Sequence, residues 1–307
     1  MTTLTLAQGI PSYPVPPGDL SAPHALSMTF TVICVAFWLL ALGWVARLAS
    51  RGDSLGMFFL FGGLLMGVLE PGLDYLGLLW FAPDNVAIAV NLFGRHIPLY
   101  VVLGYSFFFG LQAYVVYRAI LLGKGPKFFL YAYALSWLFD MALQVTGAQL
   151  GLYHYYGHQP YLFFGGPAWW YSIDATFQLA AGLLLFLIRH RLTGWGRLLI
   201  IPILPSVYSG LNGAFGWAVF ASLNSNYHAD INGNPSTPLV YLGGTITIAL
   251  CAMAVWLLVG EIHRAQQFAG IAIDHRVTWH EVLLAKVGIG LGDPILASGQ
   301  HAGSGVH

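Results

Sequence analysis

Charge is the first thing this chain lacks: of its 307 residues 8% are Asp, Glu, Lys or Arg, while 57% are hydrophobic. An average soluble domain carries about 25% charged residues, so a fully water-facing surface is excluded and the composition is that of an integral membrane protein. Net charge is zero and no basic run occurs, which removes nucleic acid as a partner. Cysteine is nearly absent too. Cys34 and Cys251 both fall in apolar runs, which excludes a disulfide framework, a thiolate zinc site and a CxxC redox pair. The last apolar run, 238–260, holds no lysine, so a retinal Schiff base is excluded there. A diphosphate-handling prenyltransferase would want two aspartate-rich motifs around Mg²⁺, and the chain offers one close acid pair, Glu70 and Asp74. His154 and His158, in HYYGH, have a metal-like spacing. The Gly and Tyr around them indicate a loop, and one pair alone reads as interfacial histidines. No metal and no cofactor are expected.

What the chain has in abundance is apolar runs. A membrane span needs about 20 mostly apolar residues, and seven stretches qualify: 28–48, 54–80, 97–121, 127–150, 168–190, 196–222 and 238–260. The expected fold is all-α, a polytopic seven-transmembrane-helix bundle. Lys and Arg concentrate on the cytoplasmic side of membrane proteins. Here Arg47 and Arg51, Arg118, Lys124 and Lys127, then Arg189, Arg191 and Arg197, then Arg264, Arg276 and Lys286 all fall on one side of the alternation; only Arg95 does not. The N-terminus is therefore expected outside and the C-terminus in the cytoplasm of a bacterial-type cell membrane. Residues 1–27 contain no Lys or Arg and read as an exposed tail before an uncleaved first helix rather than as a secretory signal. Residues 28–260 form the membrane domain. The tail 261–307 mixes charged and apolar residues and predicts a short surface helix before an unstructured end, SGQHAGSGVH.

Against this background, GVLEPGLDYL (67–76) stands out, because Glu70 and Asp74 occupy one helix face, four residues apart. At 1.5 Å rise per residue, Asp140 and Gln144 in span four and Asp174 and Gln178 in span five fall in the same outer half. Arg95 and His96 are expected to begin span three at the outer edge. A charged group at a helix centre costs about 2.5–3.5 kcal/mol on insertion scales, so four acids facing lipid are excluded and the group must face inward. Pro71 predicts a kink in span two, and PSVYSGLNGAFGW (205–217), with Asn212 among small residues, predicts a break in span six that permits close approach or an opening. The outer connection 151–172 is dense in aromatics, among them Trp169, Trp170 and Tyr171. These residues, with Trp137, suit a lid over a lipophilic cavity or an interfacial belt. For the acids the competing reading is a set of structural ties, such as Asp74 with Arg95.

A carboxyl in an apolar pocket holds its proton, and a neighbouring carboxylate or amide can accept one or steer water. Aromatic faces stabilise a developing cation. Glu70, Asp74, Asp140 and Asp174 are the candidate catalytic groups. Arg95, His96, Trp137, Gln144, Trp169, Trp170, Tyr171, Gln178 and Asn212 are the candidate substrate-binding groups. The expected partners are a lipophilic small molecule and membrane lipid. A non-catalytic lipophile carrier, a proton-coupled transporter or a receptor remains open beside the enzyme; the inner halves of the spans, almost without polar groups, favour a pocket open on one side.

The order of GVLEPGLDYLGLLWF (67–81), LSWLFDMALQ (135–144) and GHQPYLFFGGPAWWYSIDATFQ (157–178) resembles that in the emopamil-binding sterol isomerases, the membrane terpene cyclases and the bacterial carotenoid hydratases. The resemblance spans roughly residues 55–190. It implies a small helical membrane enzyme acting by acid chemistry on an isoprenoid, through isomerisation, cyclisation or hydration, with Glu70, Asp140 and Asp174 as proton-handling positions. Those families also carry a histidine beside the first acid and an acid in the last span, which have no counterpart in this sequence.

Overall fold

A computed structural model describes residues 14–285, and the chain is mostly helical. Lys286, the end SGQHAGSGVH and residues 1–13 of the expected N-terminal tail lie outside the described residues. The helices are α1 (His24–Ser50), α2 (Leu55–Met66), α3 (Glu70–Gly77), α4 (Leu99–Tyr105), α5 (Leu111–Leu121), α6 (Pro126–Gln149), α7 (Ala168–Leu187), α8 (Ile200–Leu223), α9 (Thr237–Phe268) and α10 (Trp279–Leu284). A π-helical turn, Ser106–Gly110, joins α4 to α5. Among the described residues, six helices are long and apolar enough to cross a membrane, seven if α2 and α3 count as one bent span. α7 is the hub, 83% buried along its apolar stretch and packed on α5, α6, α8 and α9, whereas α1 is 17% buried and peripheral. Large apolar side chains such as Leu40, Phe37 and Trp256 point outward.

Three sequence expectations are corrected here, and one, the bend in span two, is found. The chain is not purely helical: the connections at one end of the bundle form short antiparallel ladders that pair β1 (Leu79–Phe81) with β4 (Tyr153–Tyr155), β2 (Ile88–Leu92) with β3 (Arg95–Pro98), and β5 (Leu162–Phe163) with β6 (Gly166–Pro167). Arg95 and His96 consequently sit on β3, and the helix they were expected to begin starts at Leu99. As expected, stretch 54–80 is bent at the proline: it breaks at 67–69 with a 50° bend, over the turn preceding Pro71, where the missing N–H and the ring's clash with the carbonyl four residues back disrupt a helix. Pro71 then sits in the first turn of α3, where its missing N–H would have no partner anyway. Stretch 205–217 shows no opening: Pro205 lies inside an unbroken α8.

The π turn is pressed against α2. An added Cβ at Gly110 would stand 2.3 Å from the Phe59 carbonyl oxygen, and one at Gly63 would stand 2.7 Å from Ser106 Cα. Both obstacles are backbone, so the helices would have to separate. Gly110→Ala is expected to destabilise the fold by about 1–3 kcal/mol, read as a lower unfolding temperature in detergent. Gly43→Ala in α1 is the control: its Cβ would meet nothing within 4 Å, so replacing a mid-helix glycine is expected to leave stability unchanged or raise it by about 0.5–1 kcal/mol.

At the opposite end from the ladders, the chain past α9 folds back onto the bundle. Lys124 Nζ bonds the Val277 carbonyl, Trp44 Nε1 bonds the Leu283 carbonyl at 3.1 Å, and a Thr278–Glu281 capping box starts α10. Arg197 Nη1 reaches Ser54 Oγ at 2.7 Å at this same end. At the ladder end, Asp84 accepts from the Ser21 hydroxyl and from the Ala22 N–H. Those two bonds hold its carboxyl below the usual carboxylate range and anchor the segment before α1.

Candidate functional site

The bend between α2 and α3 carries Glu70 to the wall of a cavity of ≈110 Å³, and Asp140 from α6 and Asp174 from α7 reach the same space. Gln144, one turn beyond Asp140, and Trp170, one turn before Asp174, line it as well, with Phe81, Tyr100, Phe108 and Phe109 among the rings that complete the wall. All three carboxyls are buried. α6 packs on α7 and α9, and α4 packs on α1 and α2. Between them, half-buried Gly104 of α4 and Leu143 of α6 belong to the cavity wall. Phe108, another wall residue, packs against Phe139 of α6 with ring centroids 5.7 Å apart.

The acids are linked. Tyr105 donates its hydroxyl hydrogen bond to Glu70 Oε2, and the Tyr105 and Tyr208 hydroxyl oxygens lie 3.3 Å apart. Tyr208 donates to Asp174 Oδ1 at 2.9 Å. Asp140 faces Asp174, both Asp140 oxygens accept from Gln144 Nε2 at 3.1 Å, and Gln144 Oε1 accepts from the Tyr155 hydroxyl. Asp74, fully buried behind Glu70, has no donor at either oxygen and faces the Glu70 carboxyl. Ionised carboxylates only accept, so each carboxyl–carboxyl contact becomes a hydrogen bond when one partner carries a proton.

Local structure fixes these groups. The π turn shifts the register of the helix immediately after Tyr105, and such bulges are frequent at functional sites. Ser106 Oγ locks the turn by bonding the Leu60 carbonyl at 2.7 Å while it accepts from Trp38 Nε1 at 3.1 Å. The Tyr105 ring stacks on Phe109, centroids 4.7 Å apart, and Tyr208 meets Phe177 edge-on at 5.6 Å. Neither phenol can swing away without losing ring packing.

Of the residues singled out from sequence, Glu70, Asp140, Asp174, Gln144 and Trp170 line the cavity and Asp74 stands directly behind it. The others lie elsewhere. Arg95 does not tie Asp74: its guanidinium donates to the Leu79 carbonyl at 2.9 Å and the Tyr156 hydroxyl at 2.8 Å, over the Trp80 ring. His96 is half-buried on β3 opposite Asn91. Trp137 donates to Ser172 Oγ at 3.2 Å and meets Tyr171 edge-on. Trp169 is buried against Trp170 and Phe220, and Tyr171 beneath Gly166. Gln178 joins α7 to α6 through the Ala132 carbonyl at 3.1 Å, and Asn212 Nδ2 returns to the Tyr208 carbonyl at 3.1 Å. His158 Nδ1 lies 3.0 Å from the Pro235 carbonyl oxygen, in the loop setting expected of it.

Sequence reasoning missed Tyr105, Tyr208 and Tyr155. The available signal was a phenol within an apolar span, since a buried tyrosine hydroxyl generally finds a hydrogen-bond partner. No protein-family model, curated protein or solved structure matches this chain.

Proposed function

We propose that the protein is an integral membrane enzyme that uses buried carboxylic acids for acid–base chemistry on a lipophilic, unsaturated substrate of isoprenoid type. The observation that carries this reading is the convergence of Glu70, Asp140 and Asp174, from three separate helices, on one aromatic-walled cavity. A carboxylic acid there can protonate an alkene, the surrounding rings can stabilise the cation, and a second carboxylate lies ready to accept a proton. Isomerisation, cyclisation and hydration all begin with that step.

Outward-facing apolar side chains on long helices support residence in a bilayer. The gathering of nearly all Lys and Arg at the end opposite the ladders supports a cytoplasmic placing of that end. Substrate then enters from the lipid beside half-buried Gly104 of α4 and Leu143 of α6, in the leaflet away from the cytoplasm.

Gentle extraction followed by mass spectrometry of co-purified lipids tests the reading, and Gly104→Phe sharpens it. Gly104 lines the cavity and an added Cβ there meets no atom within 4 Å, so a phenylalanine at this position is expected to leave the helix backbone in place and to compete with the ligand for the cavity. The expected result is an unsaturated lipophile bound to the wild-type protein and at least a tenfold lower occupancy in the folded variant. Equal occupancy in both would remove the cavity as the binding site.

A further inference from the structure

We infer that Tyr105 and Tyr208 pass one mobile proton between Glu70 and Asp174, so that the enzyme recovers internally the proton it donates and isomerises or cyclises its substrate rather than hydrating it. The inference rests on the reading of the cavity as the reacting chamber.

Counting protons leads to it. Each phenol has a single hydrogen. If Glu70 and Asp174 are both ionised, Tyr105 donates to one and Tyr208 to the other, and no hydrogen remains for the contact between the phenols. At 3.3 Å the two hydroxyls are close enough for either to donate to the other. One added proton closes the chain in either of two senses. With Glu70 protonated, Glu70 donates to Tyr105, Tyr105 to Tyr208 and Tyr208 to Asp174; with Asp174 protonated, every bond points the other way. Three hops convert one sense into the other, with no side chain moving and no water involved.

The chemistry balances on this chain. The Glu70 carboxyl gives its proton to a substrate C=C, whose π pair forms the new C–H bond and leaves a cation among the rings. In cyclisation a second C=C of the same substrate then attacks that cation, forming a C–C bond and a new cation. A neighbouring C–H bond breaks, its electron pair forms a C=C, and its proton goes to the Asp174 carboxylate. The three hops return that proton to Glu70. Substrate and product have the same composition, and solvent supplies nothing. Asp74 stands behind Glu70 and Asp140 beside Asp174 on the cavity wall, the carboxyl neighbours of the two ends, and Gln144 orients Asp140.

Infrared spectroscopy of the reconstituted protein tests this without turnover, so its outcome is separate from that of the proposed function. The carboxylic C=O bands are assigned by their loss in Glu70→Gln and Asp174→Asn. The expected result is that Tyr208→Phe shifts the Glu70 band, two links away, and that Tyr105→Phe shifts the Asp174 band. If each phenylalanine moves only the band of the acid its own hydroxyl touched, the relay is refuted. Should a variant fail to fold, the wild-type protein in D₂O decides the matter: a shared proton requires both bands to exchange with one time constant, and independent time constants overturn the relay.

Discussion

Glu70→Gln is expected to reduce turnover by about 10²–10⁴-fold, the range typical of a lost general acid, while binding of the lipophile changes no more than a few-fold. The substitution isolates the proton. Glutamine keeps the volume and still offers a carbonyl oxygen to the Tyr105 hydroxyl, the bond that holds Glu70 in place, so the cavity wall stays intact. What the amide cannot do is give a proton to an alkene. Asp140→Asn and Asp174→Asn, on the other two helices that wall the cavity, are expected to show the same separation of turnover from binding. Asp74→Asn is expected to cost less, because Asp74 reaches the cavity only through Glu70. The assay is product formation in vesicles carrying the lipid identified by mass spectrometry. Unchanged turnover in Glu70→Gln would remove this residue from the chemistry, and a wild-type protein that binds the lipid without making any product would identify a carrier.

The inward placing of the acids was legible because lipid gives a carboxylate nothing to bond with, so four of them on three apolar runs had few places to go. The long apolar runs were legible for the same reason, since a 20-residue stretch without charge has few other uses. Local rules failed where tertiary partners decide the outcome. Arg95 and His96 stand directly before an apolar run and so read as the start of its helix, yet Arg95–Pro98 has β2 beside it as a partner strand. The bend in span two, by contrast, was legible from Pro71, because a proline acts on the turn before it whatever packs around it. Asn212 suggested an opening, whereas its amide bonds the carbonyl one turn back, as short polar side chains often do. The tyrosines were hardest to see. A phenol in an apolar run reads equally as core, belt or relay, and only its neighbour across the bundle distinguishes these.

Arg118→Met is expected to destabilise the protein by about 3–5 kcal/mol, as removal of one member of a buried ion pair does. The guanidinium is fully buried, 2.6 Å from Asp53 Oδ2, and it also donates to the Val282 carbonyl at 2.6 Å and to the Ala285 carbonyl. Without it, Asp53 keeps one bond, from the Tyr114 hydroxyl at 2.7 Å, and its other oxygen has no partner among the described residues. An acid left in that state destabilises the fold more than the pair stabilised it, so Asp53→Asn added to Arg118→Met is expected to restore much of the loss. Because the two residues touch, their effects should not add. The two carbonyls make a second prediction separable from the first. They belong to the segment around α10, so that segment loses two of its anchors whether or not Asp53 is neutralised. In the double variant, unfolding temperature in detergent should recover toward wild type while protease still cleaves near residues 278–285 faster than in the wild type. Recovery of both together would mean that Arg118 serves only its carboxylate, and recovery of neither would mean that the guanidinium's packing, rather than its charge, sustains this end of the bundle.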